Sequence, residues 1–279
     1  MPYLEQVGFG SVALIRTFDL RHDLLSALVE RWRPETHTFH FPCGECMVTL
    51  EDVAMQLGLL IHGTPITGVS SFTDPAALCY HLLGELPKDE ESNFTSLKFT
   101  WLKAKFGQLS ANATEGELMC AARAYIMHIL GGVLMPDANN KVHMMYLPLL
   151  ADLSNVRSYS WGSAVLAVLY RELCRMTNQD VVEMGGCLTL LQSWALYRMQ
   201  FLASFISMPY RRPEITDVVP SSAYVHSDIW CTNAPIINFN VVEWYHGDRV
   251  LRQFGWIQHI LDPPCEVGAV HDMNKRGKP

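Results

Sequence analysis

Residues 24–58 read LLSALVERWRPETHTFHFPCGECMVTLEDVAMQLG, and the succession of structure they dictate organises the rest of the chain. Leu24, Leu25, Leu28 and Val29 recur at helical spacing with Trp32 a turn further on, while Asp23, Glu30, Arg31 and Arg33 fall between them. Pro34 stops that helix, because it lacks an N–H and disfavours the helical conformation at Arg33. Thr36, Thr38 and Phe39 have strand character, and Pro42-Cys43-Gly44-Glu45 supplies turn chemistry before Met47-Val48, so a hairpin is expected here. Thr49 and Asp52 stand at capping-box spacing ahead of a second helix through Val53, Ala54, Met55 and Leu57, which Gly58 ends.

Working outward, Thr73 or Asp74 caps a helix that begins at Pro75 and runs through Leu78, Tyr80, Leu82 and Leu83 to Gly84. Glu85 to Asn93 is polar and reads as a loop, and Ser96 is expected to start a helix through Leu97, Trp101, Leu102 and Phe106. From Thr114, apolar residues cover too wide an arc for a surface helix, which predicts a central helix ended by Gly131-Gly132 and Pro136-Asp137. A second buried helix follows Ser158 or Ser160, and a third runs from Leu188 through Leu191, Trp194 and Leu196 to Phe201 and Phe205. Three long apolar helices predict a mainly α fold: a single helical domain over residues 1–279 with small β-hairpins. The Pro-rich segment 209–234 has no clear period, and the β-rich run of Ile236, Ile237, Phe239, Val241 and Val242 is expected to pair with an early hairpin.

With 49% hydrophobic residues in 279, the chain can bury a large core. A net charge of −7 and a pI near 5.9 argue against a broad phosphate-binding surface, so contact with nucleic acid is expected to be indirect or weak. Fourteen arginines against seven lysines favour the planar donor of bidentate ion pairs and interfaces. No uninterrupted apolar run reaches about 18 residues and no leader pattern is present, so a soluble intracellular protein without membrane contact is expected, its eight cysteines reduced.

The run from Leu25 to Gly68, with Trp32-Arg33-Pro34-Glu35-Thr36-His37-Thr38-Phe39 and Thr49-Leu50-Glu51-Asp52-Val53, resembles the plant mobile domain, also called aminotransferase-like. The similarity continues at Arg123-Ala124-Tyr125, Tyr146-Leu147-Pro148-Leu149-Leu150 and Tyr159-Ser160-Trp161-Gly162-Ser163-Ala164. It extends through Leu169-Tyr170-Arg171-Glu172-Leu173-Cys174, Val241-Val242-Glu243-Trp244 and Asp248-Arg249-Val250-Leu251-Arg252-Gln253-Phe254-Gly255. The family takes in MAIN-like nuclear proteins and domains carried by plant transposable elements, and many members are longer than this chain before the Val241 run. The resemblance implies a nuclear, non-enzymatic protein-interaction module, linked to transposable-element silencing, genome stability and meristem maintenance, with a phosphatase-seven-type serine/threonine phosphatase as partner. It brings no catalytic residue. The alternatives are a transposon-derived hydrolase or transferase, and a DNA-binding module.

His37, His40, Cys43 and Cys46 offer four zinc-ligand types at three-residue steps. Against a shared ion, residues three apart on a strand point to opposite faces, and the second half of a zinc motif is missing. A pyridoxal-phosphate enzyme would need a Schiff-base lysine, and Lys88, Lys98, Lys103, Lys105 and Lys141 have no phosphate cup beside them, so no cofactor is expected. No Gly-x-Ser-x-Gly elbow or P-loop ending occurs, and His128 reads as a core histidine. Arg171 and Arg175, one turn apart, either clamp an acidic group or lie on a solvated helix face. Trp230, Trp244 and Trp256, with Tyr245 and Phe254, are either interface anchors or core fillers.

Overall fold

Thr49 closes a capping box with Asp52 at the start of α3 (Leu50–Leu57), which ends at Gly58 with φ +64°, a left-handed conformation that suits glycine. The computed structural model describes residues 2–15, 18–68, 73–87, 94–110, 112–136, 140–178, 180–199, 206, 208–261 and 263–264. Ahead of α3 lie α1 (Pro2–Gln6) and α2 (His22–Val29), then a three-stranded antiparallel sheet of β1 (Trp32–Arg33), β2 (Thr38–Phe41) and β3 (Gly44–Cys46). The helix after Leu24 therefore stops at Val29, short of Trp32. Trp32 and Arg33 are already extended opposite Phe39 and Thr38, which turns the buried Trp32 ring onto Phe39 and Tyr170 at centroid distances of 4.9 and 5.3 Å.

Asp74 caps α4 (Pro75–Leu83) by accepting from the Ala77 amide, with Pro75 in the first turn and Gly84 at the C-cap. Ser96 does not begin a helix. Ser96–Lys98 forms β4, paired antiparallel with β5 (Lys141–His143), because Leu97 buries opposite Val142, and α5 (Phe99–Phe106) follows. The central α6 (Glu115–Ile129) has its own capping box, Thr114 with Glu117, and packs on α4 and α5. Gly131-Gly132 do not end it. The chain continues through a π-turn, Leu130–Leu134, in which a Cβ at Gly131 would lie 2.6 Å from that of Val142, so the glycine admits the neighbouring strand. Glu115–Leu134 is the one stretch among the described residues long and apolar enough to cross a bilayer; here its apolar side chains join the common core.

The short apolar piece after Lys141 is a 3-10 helix, Met144–Leu150. α7 (Trp161–Met176) then runs through the middle of the protein, packing against α3, β1 and the C-terminal hairpin. α8 (Leu188–Arg198) packs on α2 and α3, and the expected continuation to Phe201 and Phe205 lies outside the described residues. The Pro-rich segment folds into short turns, including α9 (Pro213–Thr216) and the 3-10 turns Ser221–Tyr224 and Ser227–Cys231.

β6 (Asn233–Asn238) and β7 (Val241–His246) pair with each other in full register, not with the early hairpin. A two-residue turn with Phe239 at φ +53° lets the run fold back on itself. The early chain meets this hairpin through an Ile66–Asn238 bridge, through the Leu50 amide on the Tyr245 hydroxyl, and through His37, whose Nδ1 lies 2.7 Å from the Trp244 carbonyl oxygen. Buried apolar side chains from Leu4 to Phe254 join one cluster, with Trp32, Trp161, Trp194, Tyr170 and Tyr245 among its largest members. The architecture is mainly helical with small antiparallel sheets.

Candidate functional site

The cap that starts α3 also founds a buried ion network. Asp52 Oδ2 accepts from the Thr49 amide and hydroxyl, both at 2.7 Å, which leaves Oδ1 for other donors. Arg198, the last residue of α8 and fully buried, donates to Oδ1 through Nε at 3.0 Å and Nη2 at 2.8 Å. The Tyr210 hydroxyl donates to the same oxygen at 2.7 Å, and Arg198 Nη2 also reaches Glu51 Oε2 at 3.1 Å. One guanidinium thus serves two carboxylates in a region that screens charge poorly. Burial, reinforced by the Asp52 charge, pushes Glu51 up to about 7 against the opposing pull of Arg198.

Glu51 is also part of the wall of a groove of about 620 Å³, with Arg211, Asp228, Trp230, Phe254 and Trp256 around it. Next to the groove, Trp256, Ile257 and Ile260 are 66%, 80% and 102% exposed, an apolar run turned to solvent where Gly255, at φ +83°, ends the 3-10 stretch Gly247–Phe254. Trp230 and Trp244 are half-buried; Trp230 packs on the core, and Trp244 lies on β7 with its ring 6.4 Å from that of His246.

A second cluster joins the β1–β2 turn, α7 and β7. Glu243, fully buried, receives Arg171 Nε on Oε1, while its Oε2 lies 3.2 Å from His37 Nε2. Arg171 Nη2 also donates to the Val242 carbonyl at 3.3 Å. The Trp32 indole N–H points at Cys174 Sγ, 3.3 Å away. Arg175 goes elsewhere, to Glu172 at 2.6 Å and to the Glu183 carbonyl. Arg171 and Arg175 therefore do not share one acidic ligand: Arg171 holds an internal carboxylate, and Arg175 stays on the surface. A third pair, Arg249 donating bidentately to Glu45 at 2.8 Å, with the Thr38 hydroxyl on the same carboxylate, fastens β3 to the 3-10 stretch.

The four zinc-type residues of the hairpin do not converge. His40 stands opposite Glu45 on the exposed side, Cys46 opposite Phe39 on the buried side, and His37 is turned away toward β7. Cys43 and Cys46 do adjoin, but among the described residues no histidine or carboxylate joins them in a metal-ligand group. Among the described residues, the metal-ligand atoms that gather are those of His37, Cys174 and Glu243, all within 4.8 Å of one another.

Arg198, Glu51, Tyr210 and Glu243 were not singled out from sequence, although two of them carried a signal. Arg198 is the lone charge between Glu183 and Arg211, and Glu243 the lone charge between Asp228 and Asp248. A charge isolated in a long apolar run has to find a buried partner.

Fold and geometry together define a mainly helical domain with internal ion networks and an aromatic groove at its C-terminal side. The plant mobile domain family model matches residues 8–204, and the chain belongs to that family. It is 36% identical over 330 aligned positions to the Serine/threonine-protein phosphatase 7 long form homolog of Arabidopsis thaliana, covering 99% of this chain and 24% of that protein. It is 34% identical to Protein MAINTENANCE OF MERISTEMS of the same plant, with 96% of this chain and 65% of the relative covered. With Protein MAIN-LIKE 2 it shares 41% identity over 70% of this chain and 29% of the relative. The chain thus spans less than two thirds of the length of these relatives. No solved structure matches it significantly.

Proposed function

We propose that this chain is a non-enzymatic protein-interaction module of the nucleus that docks a phosphatase-seven-type serine/threonine phosphatase through the groove between Trp230 and Trp256. The observation that carries the docking face is the exposed run of Trp256, Ile257 and Ile260 beside a groove with a titratable acid, Glu51, in its wall. Exposed aromatic and aliphatic side chains rimmed by charges, here Arg211 and Asp228, are what protein interfaces use as anchors. The choice of partner is supported by the relative named as a phosphatase 7 homolog, whose matched region occupies only about a quarter of that protein. The name MAINTENANCE OF MERISTEMS supports a role in meristem maintenance, and the family resemblance extends the proposal to transposable-element silencing and genome stability.

The test is capture of such a phosphatase, purified, on immobilised protein, with a Trp256→Ala/Ile257→Asp double variant alongside. Both positions face solvent, so folding should be unchanged while retention drops about 10-fold or more. Folded wild-type protein that retains no phosphatase removes the partner from the proposal, and equal retention by the double variant removes the groove. A fluorescent fusion that stays out of the nucleus contradicts the proposed location.

A further inference from the structure

The cluster between the β1–β2 turn, α7 and β7 has the composition and orientation of a metal site. His37 Nδ1 faces the Trp244 carbonyl at 2.7 Å, an atom that can only accept, so Nδ1 carries a hydrogen. With a single ring hydrogen, Nε2 holds the lone pair and points at Glu243 Oε2, 3.2 Å away; a second hydrogen on Nε2 would make the contact an ordinary ion pair. Two electron-rich atoms at this separation need a cation or a proton between them. For zinc, with ligand bonds of about 2.0–2.2 Å to nitrogen and oxygen, the tetrahedral angle sets ligand atoms about 3.3–3.6 Å apart. Cys174 Sγ supplies the third corner, within 4.8 Å of the other two.

Each of these side chains is fixed from behind, as ligands to a metal ordinarily are. The Trp244 carbonyl orients the imidazole, Arg171 holds the other oxygen of Glu243, and the Trp32 indole N–H donates to the sulfur. His37 itself stands at φ +53°, a backbone conformation that costs energy and is kept where the surroundings demand it. Charge is accounted for too: a dication is met by the Cys174 thiolate and the Glu243 carboxylate, and the exposed Glu35, close enough to act on Cys174, offsets Arg171.

We infer that His37, Cys174 and Glu243 bind a zinc-class divalent cation, with water in the fourth position. Binding replaces the Cys174 S–H bond by a sulfur–metal bond and releases that proton to solvent, while Nε2 and Oε2 each donate a lone pair. The ion ties three segments far apart in sequence, at residues 37, 174 and 243.

Cobalt(II) reads the site directly, since a single thiolate on tetrahedral cobalt gives a sulfur-to-metal charge-transfer band and intense visible bands. Full-length protein, stripped by chelator and titrated with cobalt, is expected to take up one equivalent with the one-thiolate signature. Cys43→Ser/Cys46→Ser protein should do the same. Cys174→Ser should lose the charge-transfer band, and His37→Gln should weaken uptake at least 10-fold, circular dichroism confirming that both remain folded. No tight uptake by folded wild-type protein overturns the inference, because the 3.2 Å contact is then a plain imidazole–carboxylate pair. Binding that survives Cys174→Ser but is lost in the Cys43/Cys46 variant overturns it as well.

Discussion

The two buried clusters hold similar side chains in opposite proportion. Around α3 one guanidinium, Arg198, serves two carboxylates, Asp52 and Glu51. At β7 one carboxylate, Glu243, lies between two nitrogen groups, the Arg171 guanidinium and the His37 imidazole. The surplus decides the behaviour. Where acids outnumber the base, the second carboxylate is left poorly matched, titrates near neutrality and lies open to a groove. Where nitrogen groups outnumber the acid, each carboxylate oxygen lies against a nitrogen, and Cys174 stands beside the pair, where we infer a cation. The two buried ion networks of this protein thus hold elements together in both places and differ in which group is in surplus.

Removing the guanidinium that two acids share should have the largest effect. Arg198→Met leaves Asp52 and Glu51 buried without their cation and is expected to cost about 3–5 kcal/mol in urea unfolding. A loss below about 1 kcal/mol would show that the network is not a unit.

The surplus acid comes next. Because Glu51 is raised from 4.5 to about 7 in the fold, the native state holds the extra proton, so its contribution is fully present below 4.5 and lost as pH rises through 7. The span corresponds to about 3 kcal/mol. Glu51→Gln should accordingly match wild type near pH 5 and exceed it in stability at pH 8, as read from unfolding curves at both. Parallel curves would mean that Glu51 is charged throughout.

Arg171→Met tests the other side of the comparison. Arg171 keeps partial access to water, 19% exposed where Arg198 is wholly buried, and holds one carboxylate instead of two, so the expected loss is smaller, about 2 kcal/mol, and a loss as large as that of Arg198 would erase the distinction. The smallest effect belongs to Thr49→Ala, which removes one cap and one anchor of Asp52 and should lower stability by about 1 kcal/mol, a few degrees in a thermal melt.

What could be read from the sequence was local. Thr49 with Asp52, Asp74 with Pro75 and Gly84, and Thr114 before the central helix announce themselves within a few residues, and the structure has helices at all three. The mainly helical class followed from the breadth of the apolar arcs. Pairings across long separations were not legible. Leu97 fits a helix or a strand equally well, and only Val142, far along the chain, decides for the strand. The hairpin at Asn238 closes on itself because its turn accepts a left-handed Phe239, a choice that propensity alone does not make. The ion networks are hidden for the same reason: the spacing makes Asp52 a cap, whereas its second oxygen serves Arg198, 146 residues away. The sequence marks His37 as a zinc-type residue, but its neighbours in space are Cys174 and Glu243, not the hairpin residues beside it in sequence.

The claim at the centre is that the Trp256 groove, with Glu51 in its wall, is where a protein partner docks. Hydrogen–deuterium exchange of the full chain with and without a phosphatase-seven-type phosphatase measures this most directly. The expected result is protection on binding at Ser227–Cys231 and at residues 251–260, with α4 and α5 unchanged. Binding that leaves those two segments unprotected, or that protects α4 and α5 instead, would contradict it.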